Sequence, residues 1–140
     1  MHSVELRYTR GMQEKKTILV IEDDKVQIQV LSERLSADGF NVIEASDGAQ
    51  GLEAAQQERP DLILLDNRMP NMSGYEMLRR LRESGPWGEL VPVIFFSNIE
   101  PASKDERDDL ENVAPTAYLL KSDTDLNGIS LKIKETLGVA

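Results

Sequence analysis

Five short, largely apolar segments recur along the chain, at 18–21, 41–45, 62–65, 91–96 and 117–120. Most run apolar at consecutive positions instead of alternating with polar ones, the mark of a strand covered on both faces. Between them, apolar residues fall at helical spacing. Lys25–Ala37 carries Ile28, Leu31 and Leu35, and Gly39 supplies a stop. Ser46 or Asp47 can cap a second helix to about Glu58, with Leu52 and Ala55 inward and Pro60 ending it. A third helix is expected over 75–83, with Leu78 and Leu81 inward, before Gly85 and Pro86 break it. Pro101 suits the first turn of a fourth, to about Asn112. Asp123 or Asp125 starts a last helix with Leu126, Ile129, Ile133 and Leu137 on one stripe. Residues 69–74 read as a loop, and Trp87 as packed locally in a Gly/Pro-rich loop. Strand and helix thus alternate five times, which predicts an α/β fold: a doubly wound parallel sheet with right-handed crossovers.

Residues 1–15 differ from this pattern. Val4, Leu6 and Tyr8 alternate with polar residues, as in a short edge strand, and Gly11 and Met12 then break the alternation. We treat the segment as an N-terminal extension, disordered or left over from expression with Met12 as a natural start, and 16–140 as one domain.

Composition narrows the function. The chain has 140 residues, 25 acidic and 16 basic, for a net charge of −9. Such a balance argues against nucleic-acid backbones and anionic membranes as partners. Without cysteine, disulfides, thiolate catalysis and Cys-ligated zinc are excluded. His2 has no spaced partner and receives no role. No apolar run is long enough for a bilayer span and no secretory signal is present, so a cytoplasmic location is expected.

The acids matter more for where they fall. Open α/β sheets build their sites at the carboxyl ends of strands. Here the first strand ends in Glu22, Asp23 and Asp24, the third in Asp66, the fourth in Ser97 and Asn98, and the fifth in Lys121. Clustered carboxylates need a counter-charge, which Lys121 and a hard, oxygen-seeking cation such as Mg²⁺ can supply. A carboxylate so placed can attack phosphorus in line, with Ser97 donating a hydrogen bond to a phosphoryl oxygen. Taken singly the residues have plainer readings: Asp24 as a helix cap, Asp66 as a turn-former, Lys121 as a surface lysine, Tyr118 as packing.

The run from Ile18 to Asp24, the run from Asp61 through Asp66-Asn67-Arg68-Met69-Pro70 to Gly74, and Tyr118-Leu119-Leu120-Lys121 together closely resemble response-regulator receivers, over about residues 16–138. The resemblance implies a flavodoxin-like fold: a five-stranded sheet of order 2-1-3-4-5 flanked by five helices. It implies that Asp66 is the phosphoryl acceptor, that Glu22, Asp23, Asp66 and the backbone carbonyl of Arg68 hold Mg²⁺ (Mn²⁺ or Ca²⁺ can substitute), and that Lys121 binds the phosphoryl group. Ser97 matches the switch hydroxyl and Tyr118 the switch aromatic. The implied partners are a sensor histidine kinase or phosphotransfer protein and an output protein at about 103–138, with homodimerisation a further possibility. Such a domain is no enzyme beyond its own phosphorylation and dephosphorylation, and the chain's end just past the last helix suggests a stand-alone regulator.

The chain departs from the family at three places: Ser122 where proline is usual, Asn98 where a small residue is usual, and Ala114-Pro115 where Gly-Ala is usual. They favour the alternative of a non-switching interaction module that keeps the fold. Variable positions Arg68 and Ile99 are expected to tune acyl-phosphate lifetime, Arg68 by shielding the group. Other chemistry on this sheet fits less well. The acidic first loop would repel a flavin phosphate, and the Asp-x-Asp pair of haloacid-dehalogenase-type phosphatases is missing there.

Overall fold

The computed structural model describes residues 15–101 and 103–140; the strand expected at 4–8 lies outside the described residues. Five strands, β1 (Thr17–Ile21), β2 (Asn41–Ala45), β3 (Leu62–Leu65), β4 (Val93–Ser97) and β5 (Ala117–Leu120), form one parallel sheet in the order β2-β1-β3-β4-β5. This is the expected flavodoxin-like topology. The helices are α1 (Lys25–Ala37), α2 (Gly48–Glu58), α3 (Gly74–Arg82), α4 (Pro86–Leu90), α5 (Lys104–Val113) and α6 (Leu126–Leu137).

The period of two along each strand sorts the core into two layers. Leu19, Ile21, Ile63, Leu65, Val93 and Phe95 face α2, α3 and α5 through Ala55, Met77, Leu78, Leu81, Leu110 and Val113. Ile18, Val20, Leu62, Leu64, Ile94 and Phe96 face α1 and α6 through Leu31, Leu35, Ile129 and Ile133. Polar side chains set the helix starts. Asp24 accepts from the amides of Val26 and Gln27, Asp47 from Gln50 and Asp125 from Gly128. Asp24 therefore takes the plainer of its two readings.

The structure corrects the expected elements in three places. Among the described residues there are six helices, not five: Trp87 lies in the extra helix α4, with Pro86 in its first turn, rather than in a loop. The helix expected from Pro101 begins at Lys104, because the Ser103 hydroxyl accepts from the Glu106 amide and fixes the start there. The fourth strand runs over Val93–Ser97 instead of 91–96, because Val91 closes α4.

Candidate functional site

The sheet ladder extends one step past the strands and positions the polar residues. Glu22 N–H donates to the Ala45 carbonyl at 3.1 Å, Asp66 N–H to Ile21 at 3.0 Å and Lys121 N–H to Ser97 at 2.8 Å. β1 lies between β2 and β3, and β4 between β3 and β5, so these residues emerge along one edge.

Behind Asp66 the chain folds back tightly. The Asn67 side chain accepts from the Tyr75 amide at 2.9 Å, and Gly74 N–H donates to the Asn67 carbonyl at 3.0 Å. A Cβ at Gly74 would collide with the Asp66 carbonyl oxygen, so only glycine lets α3 start this close to the site. The Ser73 hydroxyl, accepting from Glu76 N–H, caps that start. This role of Asn67 has no local signal in the chain, because its partner is an amide eight residues on, brought back by the fold.

Glu22, Asp23 and Asp66 bring carboxylate oxygens within 4.8 Å of one another. Glu22 and Asp66 are only 3% and 7% exposed, whereas Asp23 is exposed at the rim. Lys121 Nζ sits 2.7 Å from Glu22 Oε2 and 3.8 Å from Asp66 Oδ2, with the Phe96 ring centroid at 5.7 Å. The stronger partner of Lys121 is thus Glu22, which residue spacing alone does not show.

One ammonium among three acids leaves excess negative charge. Burial pushes the Glu22 carboxyl up to about 7, against the Lys121 hydrogen bond and with repulsion from Asp66 adding to the rise. Burial also raises Asp66, despite the attraction of Lys121 and the Arg68 amide, which donates to Asp66 Oδ1 at 3.3 Å. A proton or a cation is what this cluster holds best. Its all-oxygen donors suit a hard divalent ion.

Ser97 is fully buried at the end of β4 and accepts from the Ile99 amide at 3.3 Å. The Tyr118 hydroxyl donates to the Ile99 carbonyl, and its ring lies 5.3 Å from Phe95, centroid to centroid. The loop after β4 therefore ties Ser97 to Tyr118 through one residue. A cleft lined by Arg68, Tyr75, Ser97, Ile99, Glu106 and Tyr118 opens beside the acids. The Asn98 side chain is exposed. The Lys121–Ser122 bond, like the others described, is trans, and Asp123 N–H closes the turn onto the Leu120 carbonyl at 3.1 Å. All seven residues named from the sequence (Glu22, Asp23, Asp66, Arg68, Ser97, Tyr118 and Lys121) lie at this edge or line its cleft.

The model of the response regulator receiver domain matches residues 18–125. Among curated proteins, the probable transcriptional regulatory protein TcrX of Mycobacterium tuberculosis is 39% identical over 81 residues, 58% of this chain and 33% of that protein. The polar-differentiation response regulator DivK of Brucella anthropi is 28% identical over 66% of this chain and 74% of its own length. This chain thus spans about a third of the transcriptional regulator it matches. Among solved structures, a CheY-like receiver domain protein from Methanospirillum hungatei superposes with a TM-score of 0.79 at 27% identity, covering 89% of this chain and 94% of that one. The receiver domain of a sensor histidine kinase from Pseudomonas aeruginosa, solved with magnesium coordinated in its active-site cleft, gives 0.77 at 27%, covering 89% and 98%.

Proposed function

The chain belongs to the response regulator receiver domain family of two-component systems, and from that membership we propose that Asp66 accepts a phosphoryl group from a phosphohistidine and switches protein contacts. The observation that carries the proposal is the gathering of Glu22, Asp23 and Asp66 around Lys121, with two of the acids buried. Glu22, Asp23, Asp66 and the Arg68 carbonyl would hold Mg²⁺, for which Mn²⁺ or Ca²⁺ can substitute. The bound ion would supply positive charge opposite the phosphoryl oxygens. The magnesium coordinated in the active-site cleft of the Pseudomonas relative supports magnesium as the ion.

In the transfer an Asp66 carboxylate oxygen attacks phosphorus. The P–N bond breaks, its electron pair stays on the imidazole nitrogen, and that nitrogen takes up a proton. Lys121 exchanges Glu22 for the new phosphoryl oxygens. Ser97 turns its hydroxyl to donate to one of them, which takes the acceptor away from the Ile99 amide and disturbs the Tyr118 contact. A local charge change thus biases the loop leading to α5. The phosphodonor would be a sensor histidine kinase or phosphotransfer protein. An output protein, or a second copy, would read the face at about 103–138. The acids of α5 make nucleic acid a poor partner for that face.

Incubation with Mg²⁺ and acetyl phosphate, followed by intact-mass measurement, tests this. The parent should gain one phosphoryl group and Asp66→Asn none. A folded parent that gains nothing from acetyl phosphate or from phosphoramidate would overturn the proposal in favour of a non-switching interaction module.

A further inference from the structure

Arg82, the last residue of α3, takes no part in the site described above, yet one guanidinium closes two helix ends. Its Nε donates to the Val113 carbonyl at 3.0 Å and its Nη2 to Ala114 at 3.0 Å. Its Nη1 donates to Gly88 at 2.9 Å and Val91 at 2.7 Å. These carbonyls are the last of α5 and α4, where a cation meets the negative ends of both helices. They include the Ala114 carbonyl, at a residue in the left-handed region (φ 48°) without being glycine, a conformation that needs outside support.

The packing of α5 is as uneven as its bonding. Residues 104–109 are all exposed, and its buried side chains, Leu110 and Val113, both fall in its second half, within the layer that holds Leu78 and Leu81. At the other end, among the described residues, the loop after β4 makes hydrogen bonds at Ile99, whose carbonyl accepts from Tyr118 and whose amide donates to Ser97. Few buried contacts and exposed backbone bonds mark the segment that opens most easily.

We infer that Arg82 pins the C-terminal end of α5, making this helix a lever whose site-side end alone moves when the loop after β4 is displaced. Arg82 is a positioning residue in this scheme. The displacement rests on the phosphorylation reading above; the pin does not. Swinging about Arg82, α5 would re-aim Asp105, Asp108 and Asp109 on its exposed surface.

Hydrogen exchange read by mass spectrometry, on the whole chain with Mg²⁺ and with or without acetyl phosphate, tests both parts. Without donor, the amides at 110–114 should exchange about tenfold faster in Arg82→Met than in the parent, as expected for loss of a local anchor, while β1 and β3 stay unchanged. Arg82→Lys should fall between, since an ammonium keeps the charge but not the planar fork; it also serves if Arg82→Met fails to fold. With donor, the parent's change should be confined to 98–108, and in Arg82→Met it should extend through 114. Equal donor-free protection of 110–114 in the parent and the variants overturns the pin. A donor-induced change in the parent as large at 110–114 as at 98–108 overturns the lever. Failure of the phosphorylation reading shows separately, as no mass gain in the parent, and the donor-free comparison still decides the pin.

Discussion

Neighbouring acids in one short loop do different work. Asp24 turns back to cap α1, accepting from Val26 N–H at 2.9 Å and Gln27 N–H at 3.2 Å. Asp23 points its carboxylate toward Glu22 and Asp66 and makes no such cap. The two should therefore separate on mutation. Asp24→Ala should cost about 1 kcal/mol of stability, the usual worth of a cap, and leave Mg²⁺ binding largely intact. Asp23→Ala should barely change urea stability in chelator yet weaken Mg²⁺ binding at least about tenfold, as expected for a lost carboxylate ligand. Urea melts and a metal titration by calorimetry measure both effects. If Asp24→Ala proved the weaker binder, the assignment of the pair would be reversed.

At the scale of elements, the site depends on how closely α3 and the loop after β3 approach. Gly74 marks the closest point, against the Asp66 carbonyl and the Phe95 ring. Gly74→Ala should cost about 1–3 kcal/mol, the range for overpacking a tight contact, and should also slow Asp66 phosphorylation by shifting its backbone. Urea melts and the acetyl phosphate reaction monitored in parallel check this. A variant with parental stability would mean that the loop yields freely. The extra helix α4 was hidden for a related reason. Gly85, Pro86 and Gly88 are poor helix formers, so local preference reads as a loop. The helix forms because Trp87 packs on the core layer that includes Leu81 and Val91, and because Arg82 satisfies the Gly88 and Val91 carbonyls.

For the whole molecule the buried acids set how stability depends on pH. Folding raises Glu22 from its ordinary 4.5 to about 7, and Asp66 moves in the same direction. The folded state therefore holds protons that the unfolded chain has released. That contribution is fully present below about pH 4.5 and is lost as pH rises through 7. Asp38, whose burial would raise it but which hydrogen bonds from Ser130 and Arg34 and the charges of Arg34 and Lys134 hold below the ordinary carboxylate value, acts in the opposite sense, and most of its contribution is already present in this window. In chelator, stability should fall by on the order of 2 kcal/mol between pH 4.5 and 7.5, and Glu22→Gln should flatten the trend. Millimolar Mg²⁺ should reverse it, because an ion that binds only the folded, deprotonated cluster stabilises by mass action. Urea melts across this pH range decide the matter. A chelated parent that gains stability toward pH 7.5 would show that Lys121 outweighs burial.

Local pattern in the chain was enough to find five strands, with the bounds of the fourth shifted by α4, and to give their parallel pairing class and the list of chemical residues. Consecutive apolar positions such as 62–65 mark a strand buried on both faces, and the acid that ends the run marks where it leaves the core. These are local signals, carried by residues a few places apart. Packing set the rest. That Lys121 pairs first with Glu22, 99 positions away, depends on the sheet placing β4 and β3 between β5 and β1. That Glu22 is buried while its neighbour Asp23 is exposed depends on which side of the strand end each leaves. Arg82 carried no signal in the sequence, because its partners are backbone carbonyls, which every residue has, brought to it by packing.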